Sequence, residues 1–387
     1  MRIAFLAWET LHSIRVGGMS AHATEVATAL ARLGHGVHVF TRRGSVDQLL
    51  REEIDHVTYH RCDVRSGQSF LEEIESLNAA YIARVHQVAH DEGRFDVVHG
   101  HDWLAVRALC TLRRARSTRG VLTLHSTEYG RSGNRIIDGE SAAIRSIEAL
   151  GLRIADGVIA VSSALKEEIL SQYDVDGDKI DVVYNGINLA QSYAKMESND
   201  VRRELGIASD APLILFVGRM VYQKGPDLLL EAAPSILSRF PSACIIYAGE
   251  GNLLSGVMSQ ARGMGLEHAV RFLGNVDRER LSTLYHASRL VCLPSRNEPF
   301  GLVVLEAWRA GKPVVATDVG GPGEIIWHGV TGSKIPPQPA AIAAAINDLL
   351  GDELRATWIG RNGRIAVEEA FSWDHAAQRV MAAYESL

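Results

Sequence analysis

The chain has 387 residues, of which 47% are hydrophobic and 6% aromatic, with 35 glycines and a formal net charge of −6. This length predicts two domains with full cores, and many glycines with few aromatics favour an α/β protein over an all-β sandwich. The acidic balance argues against broad nucleic-acid binding, although local cations and helix N-termini can still hold a pair of phosphates.

The cysteines and the N-terminus predict a cytoplasmic protein. Cys62, Cys110, Cys244 and Cys292 form no C-x-x-C pair, and the last two lie in apolar runs typical of buried thiols. The opening MRIAFLAWE predicts a strand and not a signal peptide, and no run approaches the ~20 apolar residues that span a bilayer. The basic segment at residues 113–119 is interpreted as a solvated helix end, which leaves peripheral membrane contact open.

Apolar strands alternate with helical patterns through the first half of the chain. Strands are predicted at Ile3–Trp8, Val37–Thr41, Val57–Cys62, Asp96–His99, Val121–His125 and Gly157–Val161, and helices at Ser20–Leu33, with Ser20 as a possible N-cap, and Ser69–His90. Continuous apolar strands between helices indicate a parallel sheet covered on both faces.

The alternation restarts after a polar segment at residues 188–200, which is predicted to be a linker. The second series has strands at Leu213–Val217, Cys244–Ala248, Val270–Leu273, Leu290–Leu293 and Pro313–Ala316, and helices at Pro226–Arg239, Leu253–Met264, Arg278–His286, Gly301–Ala310, Ala340–Leu350 and Asp352–Ala370. The two series predict two doubly wound, Rossmann-like α/β domains, residues 1–190 and 200–370, which face each other across a cleft.

The strongest motif is NEPFGLVVLEA, which follows the strand Leu290–Leu293 and begins a helix. Gly301 lets a ligand approach the backbone, and the first-turn N–H groups from Gly301 to Val303 suit a diphosphate. Glu298 in the loop and Glu306 on the helix can then bind hydroxyls on either side of this diphosphate. In an isolated helix, Glu298 would instead be a cap and Glu306 a surface residue.

Two cations follow the first strand of the second series. Arg219 and Lys224 are five residues apart across a turn, so both can contact one anionic group and stabilise a diphosphate leaving group. A solvated loop is the alternative. Three further loops are candidates for the site. The pair Gly17-Gly18 offers N–H donors, Gly249-Glu250 could lie beside a nucleobase, and residues 320–324 could form a mobile loop. The alternative for each is an ordinary turn.

Histidines follow two strands of the first series. His99, His101 and Asp102 lie at the end of one strand, and His125 at the end of another. Because the carboxyl ends of parallel strands share an edge of the sheet, these side chains are candidates for ligand contact, whereas a lone histidine is more often structural. Zinc is the minor alternative, since the spacing matches no standard finger or helix pattern.

Together these segments resemble the retaining glycosyltransferases of family 4, which have the GT-B fold. The resemblance covers nearly the whole chain and rests on E-P-F-G-L-V-V-L-E, on G-R with K-G, on the glycine pair and on His125, in the family's order. The ending at residues 371–387 resembles the family's last helix, which returns to the first domain. The loop R-V-G-G-M is similar to the K-x-G-G-L loop of glycogen and starch synthases, with Arg15 in place of lysine, and implies a nucleoside-diphosphate glucose as donor.

The resemblance implies a role for each matched residue. The residues that it implies for catalysis are Arg219, Lys224, Glu298 and His125; those for donor binding are Gly17, Gly18, Gly249, Glu250, Phe300, Gly301, Leu302, Val303 and Glu306; and those on the acceptor side are His101, Asp102, Glu128 and Arg131. Arg219 and Lys224 would hold the diphosphate, Glu298 the sugar and Glu306 the ribose, with His125 in the sugar pocket. The family usually needs no metal or cofactor.

The predicted function is therefore transfer of a hexosyl group, with glucosyl favoured, from a donor such as ADP-glucose or UDP-glucose to an acceptor hydroxyl in carbohydrate biosynthesis. A sugar-nucleotide epimerase or a phosphorylase on the same fold is the alternative. A non-catalytic protein that binds nucleotide sugars is disfavoured, because Arg219, Lys224, Glu298 and Glu306 are all present.

Overall fold

The computed structural model describes residues 1–14, 17–65, 67–113, 118–189 and 198–387. Arg15, most of the predicted linker (190–197) and the centre of the basic segment (114–117) lie outside the described residues. The chain divides into two compact units, Met1–Gly186 with Trp373–Leu387, and Ile187–Ser372. The expected boundaries at 190, 200 and 370 lie close to these divisions.

The first unit is a sheet with helices between its strands. Its strands are β1 (Arg2–Ala7), β2 (Gly36–Arg42), β3 (Arg51–Ile54), β4 (Val57–Cys62), β5 (Val97–His101), β6 (Arg119–Leu124), β7 (Gly157–Ala160) and β8 (Ile180–Val182), and its helices before residue 187 are α1 (Gly18–Arg32), α2 (Phe70–Glu92), α3 (Val106–Leu112), α4 (Glu128–Arg131), α5 (Glu140–Ile154) and α6 (Ser163–Gln172).

The strand order of this sheet is β3-β4-β2-β1-β5-β6-β7-β8, and β3 is the antiparallel edge strand. In the central strand β1, the apolar residues from Ile3 to Ala7 are all buried, as expected for a strand covered on both faces. From β1 the chain proceeds to β2 on one side and later to β5 on the other. The loops after β1 and β5 therefore meet at a topological switch point, where ligands of such sheets bind.

The start of α1 differs from the prediction. The N-cap is Gly17 without a side-chain cap, and Ser20 lies inside the first turn, where its Oγ donates to the carbonyl of Gly17 over 2.7 Å. The N–H groups of Gly17 and Ser20 donate instead to the carboxylate of Glu9, over 3.1 and 3.2 Å. An acidic side chain from the preceding loop thus replaces the expected serine cap, since it can satisfy two N–H donors at once.

The second unit repeats the architecture. Its strands are β9 (Leu213–Val217), β10 (Cys244–Ala248), β11 (Val270–Phe272), β12 (Leu290–Leu293), β13 (Val314–Thr317) and β14 (Ser333–Ile335), and its helices are α7 (Ser198–Glu204), α8 (Pro226–Arg239), α9 (Leu254–Gly263), α10 (Arg278–Ala287), α11 (Leu302–Arg309), α12 (Gly321–Ile325), α13 (Pro339–Gly351) and α14 (Glu353–Ala370). The strands are parallel in the order β11-β10-β9-β12-β13-β14, so the switch point lies between β9 and β12.

The last helix, α15 (Trp373–Glu385), belongs to the first unit, as the family resemblance implies. It packs along α1, and its Tyr384 hydroxyl lies 2.6 Å from Nδ1 of His99 in β5. Both groups are fully buried, so the end of the chain completes the core of its first domain. Among the described residues, no helix combines the length and the apolar character needed to cross a bilayer.

Candidate active site

The loops after β9 and β12 pack tightly together at the switch point of the second unit. Gly225 ends the first loop with φ of +63°, and a Cβ on it would lie 2.1 Å from the carbonyl oxygen of Pro294 in the second. A larger residue would therefore require the two loops to move apart. This close approach brings Lys224 alongside the NEPFG segment.

Lys224 and Glu298 form a partly buried ion pair. The Nζ atom lies 2.7 Å from Oε1 and 2.8 Å from Oε2, and the Ser295 hydroxyl donates to Oε2 over 2.9 Å. Glu298 is only 7% exposed, so its charge is balanced by one cation and one hydroxyl. Arg219 is exposed and its guanidinium donates to Gln223 over 3.3 Å, and the prediction that it shares one anion with Lys224 stays a prediction.

The N-terminus of α11 begins directly after this pair. Its N-cap, Gly301, has φ of +90° and no side-chain cap, so Glu298 does not cap the helix. The N–H groups of Leu302 and Val303 belong to the first turn, which offers them no intrahelical acceptor. Gly320, in the loop after β13, fits against this segment because a Cβ on it would lie 1.9 Å from the Glu298 carbonyl oxygen. The loop after β13 is thus packed against the motif.

Glu306 lies on α11 and is held by a tyrosine. Its Oε2 accepts a hydrogen bond of 2.6 Å from the hydroxyl of Tyr285 on α10, and burial raises its pKa, although this hydroxyl and nearby Arg309 lower it. The interpretation of Glu306 as an ordinary surface residue is therefore excluded.

Gly249 and Glu250 contact the loop after β9 mainly through the backbone. A Cβ on Gly249 would lie 2.0 Å from the Gly218 carbonyl oxygen, and the Glu250 carbonyl accepts from Met220 N–H over 2.7 Å. The Glu250 side chain is exposed. The structure thus places both residues beside the Arg219 loop, where their backbone fixes its position.

In the first unit, the expected N–H donors of the glycine pair are partly occupied. Gly17 and Gly18 are exposed, but the Gly17 N–H donates to Glu9. An anion at this helix terminus would have to displace or neutralise that carboxylate. Glu9 is 3% exposed and lies eight residues before Gly17 in the sequence. The glycine motif therefore did not predict this contact.

The histidines form a cluster at the switch point of the first unit. His101 ends β5, His125 follows β6, and His22 on α1 completes the group, with Nδ1 of His101 3.2 Å from Nε2 of His125. Burial lowers the pKa of His125 to about 3 and also lowers those of His22 and His101. These imidazoles are neutral at ordinary pH, so His125 offers hydrogen bonds and not a positive charge.

Two predicted acceptor contacts become supporting residues. His101 is fully buried, and Asp102, 6% exposed and with φ of +56°, accepts the His125 N–H through Oδ1 over 2.7 Å. Their side chains contact the ring and the backbone of His125. The structure thus gives both residues a role in positioning His125, and their contact with an acceptor stays a prediction.

Glu128 and Arg131 belong to an internal ion network. Arg131 pairs with Glu128 over 3.1 Å and also with Glu148, which is fully buried on α5. Glu148 further accepts from the Tyr173 hydroxyl and, over 2.9 Å, from the Glu128 N–H. Arg131 thus anchors α4 to α5, and the predicted contact of Arg131 and Glu128 with an acceptor stays a prediction.

Sequence reasoning missed several contributors to these sites. They are Glu9, His22, Glu148, Asn185, Tyr285 and Ser295. Most lie far along the chain from the group they contact and carry no motif of their own. His22 alone has a local signal, since it lies one helical turn beyond the glycine pair, on the face of α1 that packs on the sheet.

Comparison with known proteins agrees with this arrangement. The family model described as Glycosyltransferase Family 4 matches residues 16–191, and the one described as Glycosyl transferases group 1 matches residues 197–365. An uncharacterized glycosyltransferase of Methanocaldococcus jannaschii is 36% identical over 100% of this chain and 98% of its own. A glycogen synthase of Mycobacterium tuberculosis is 31% identical over 99% of this chain and 94% of its own.

Among solved structures, sucrose-phosphate synthase from Thermosynechococcus elongatus superposes with a TM-score of 0.83 at 25% identity, covering 100% of this chain and 98% of that one. The two Rossmann-like sheets, the switch-point motifs and these matches agree. The chain belongs to the family 4 glycosyltransferases of the GT-B fold.

Proposed function

We propose that the chain is a retaining hexosyltransferase that moves a sugar, glucosyl by preference, from a nucleoside-diphosphate donor such as ADP-glucose or UDP-glucose to an acceptor hydroxyl. The observation that carries the proposal is the Lys224–Glu298 pair beside the uncapped N-terminus of α11. A cation, a carboxylate and free N–H donors at one switch point match the three parts of a sugar diphosphate. The likeness to a glycogen synthase supports glucose as the sugar.

In the proposed complex the donor diphosphate replaces Glu298 as the partner of the Lys224 ammonium. The α11 N–H groups and Arg219 supply further positive charge, which stabilises the leaving group as the glycosidic bond breaks. Glu298 then no longer pairs with Lys224 but keeps the hydrogen bond from Ser295. Its carboxylate accepts hydrogen bonds from hydroxyls of the sugar. Glu306 binds the ribose, and Gly249 and Glu250 lie beside the base.

The proposed reaction retains configuration by attack on the face from which the diphosphate leaves. A leaving-group oxygen accepts the proton of the acceptor hydroxyl, so no protein nucleophile is required. Because Lys224, Arg219 and the helix terminus provide the positive charge, we propose that transfer needs no metal ion. Transfer should therefore continue in excess EDTA, and the anomeric configuration of the product, read by NMR, tests retention.

The first experiment is thermal stabilisation by UDP, ADP and GDP and by their glucose, mannose and N-acetylglucosamine conjugates. A ligand at 100 times its Kd should add about 2.7 kcal/mol to the free energy of unfolding. One nucleotide series should stand out and so identify the base. The absence of a shift with every compound would contradict the donor site.

A milder variant tests the Glu306 assignment. Tyr285→Phe removes a hydroxyl that lowers the pKa of the buried Glu306 carboxyl, so the carboxylate should become protonated at higher pH. The KM for the donor should then begin to rise at a higher pH than in the parent as the pH is lowered. Tyr247→Phe is the matched control, because that buried hydroxyl donates to the Pro226 carbonyl over 3.1 Å and not to a carboxylate. Superimposable KM profiles for Tyr285→Phe and the parent would contradict a ribose contact.

A further inference from the structure

Three imidazoles from separate elements converge in the first unit. One ring nitrogen from each of His22, His101 and His125 lies within 4.8 Å of the other two. They come from α1, the end of β5 and the loop after β6, elements that meet at the switch point. His22 packs edge-on against His125, with ring centroids 4.5 Å apart, and His101 stacks on His125 at 5.4 Å.

Two of these side chains have a buried nitrogen with no hydrogen-bond partner among the described residues, namely Nε2 of His22 and Nε2 of His101. Such an atom has lost its hydration without gaining a partner in return, which destabilises the folded protein. The neighbouring His99 shows the ordinary solution, because both of its nitrogens have partners, Tyr384 and Thr123, each at 2.6 Å. Of the two atoms, Nε2 of His22 indicates a missing ligand in the cluster, because Nδ1 of His101, and not its Nε2, lies beside His125.

The orientation of His22 specifies which kind of ligand. Its Nδ1 lies 2.6 Å from Oδ1 of Asn185, which can only accept, so Nδ1 carries the proton and Nε2 presents a lone pair. A histidine fixed through its other nitrogen by an oxygen is the usual arrangement around a protein-bound metal. An anion would not satisfy that lone pair, whereas a cation or a hydrogen-bond donor would, and the two neighbouring imidazole nitrogens favour the cation.

From these observations we propose that His22, His101 and His125 bind a divalent transition metal of the zinc class. Two imidazoles on one tetrahedral zinc have nitrogens about 3.3 Å apart, given Zn–N bonds of about 2.0–2.1 Å. Nδ1 of His101 and Nε2 of His125 are already 3.2 Å apart, and His22 offers a nitrogen within 4.8 Å of the other two rings, so its ring would have to move closer to complete the set. Three histidines leave a fourth position for water or a hydroxyl.

The site would also regulate transfer. His125 is the histidine that the family resemblance implies for the sugar pocket, so a metal bound to it should inhibit an enzyme whose diphosphate site needs none. This consequence rests on the proposed function, whereas metal binding itself does not.

The test uses the full-length protein, stripped with EDTA and titrated with Co²⁺. We expect one equivalent to produce the strong visible absorption of four-coordinate cobalt and Zn²⁺ to displace it. His22→Asn should abolish the band, and Asn185→Ala, which spares all three ligands, should weaken binding about 10- to 100-fold. His38→Asn should leave binding unchanged, since the buried His38–His60 pair, 3.0 Å apart, belongs to no such trio among the described residues.

Absence of the band in the parent would overturn the site. A His22→Asn protein that binds Co²⁺ as the parent does would also overturn it, and would indicate adventitious surface binding. If His22→Asn fails to fold by circular dichroism, Asn185→Ala decides, and unchanged affinity in it contradicts the proposal. The spectroscopy needs neither donor nor acceptor, so its failure is separate from failure of the transfer assay.

Discussion

Lys224→Ala is expected to lower transfer roughly 30- to 1000-fold, equivalent to about 2–4 kcal/mol of transition-state stabilisation. The ammonium is 2.7 Å from Glu298 and only 20% exposed, so it acts where water screens charge weakly. Without it, the diphosphate of the proposed complex would lose a partly buried cation, and Glu298 would keep the hydrogen bond from Ser295. The measurement is kcat/KM for the donor that the nucleotide panel identifies.

Lys312→Ala is the matched control. Lys312 is also partly buried in the second unit, but it precedes β13, at the amino end of the sheet, and burial together with Arg202 and Arg289 lowers its pKa. Its removal should leave kcat/KM within about twofold, as expected for a lysine remote from the chemistry. A Lys224→Ala enzyme that is folded and retains more than half of the parent's turnover would refute the diphosphate assignment.

The second large effect concerns stability. Glu148→Ala should lower the free energy of unfolding by about 3–5 kcal/mol, because it leaves Arg131 without its buried partner. For a domain of this size, that corresponds to a fall in Tm of roughly 6–20 °C. Tyr173→Phe removes one hydrogen bond to the same carboxylate and should cost about 1.5–3 kcal/mol. Calorimetry of thermal unfolding measures the loss of stability in both variants.

Glu368→Ala provides the comparison for this series. Glu368 pairs with Arg364 one helical turn away on the surface of α14, and such pairs contribute at most about 0.5 kcal/mol. The expected order of destabilisation is therefore Glu148, then Tyr173, then Glu368. A Glu148→Ala protein that melts with the parent would show that the network is not what anchors the loop after β6.

The fold was largely predictable because a buried parallel sheet imposes long apolar runs on the sequence. The strands β9, β10 and β12 begin and end where the pattern places them. The antiparallel edge strand β3, with the sequence REEI, was missed because it is mostly polar and packs on a single neighbour. The short strands β8 and β14 were missed for a related reason, since three residues carry too little periodicity.

The site was predictable where it depends on local order and not where it depends on contacts distant in sequence. The E-P-F-G motif located Glu298 and Glu306. The ion pair of Glu298 with Lys224, however, joins residues 74 positions apart in the sequence. His101 and Arg131 looked like available polar groups in the sequence. Their partners, among them His22 and Glu148, lie on helices that no motif links to them. Burial and pairing are tertiary properties, and they changed both interpretations.

The return of α15 to the first unit has a consequence for biosynthesis. A ribosome releases the helix that covers α1, and the tyrosine that bonds His99, only after the whole second unit has been made. The first domain to be translated is therefore the last to complete its core, whereas the second can close as soon as it emerges. Nascent chains should thus acquire protease resistance from the C-terminal half first, the reverse of the usual vectorial order.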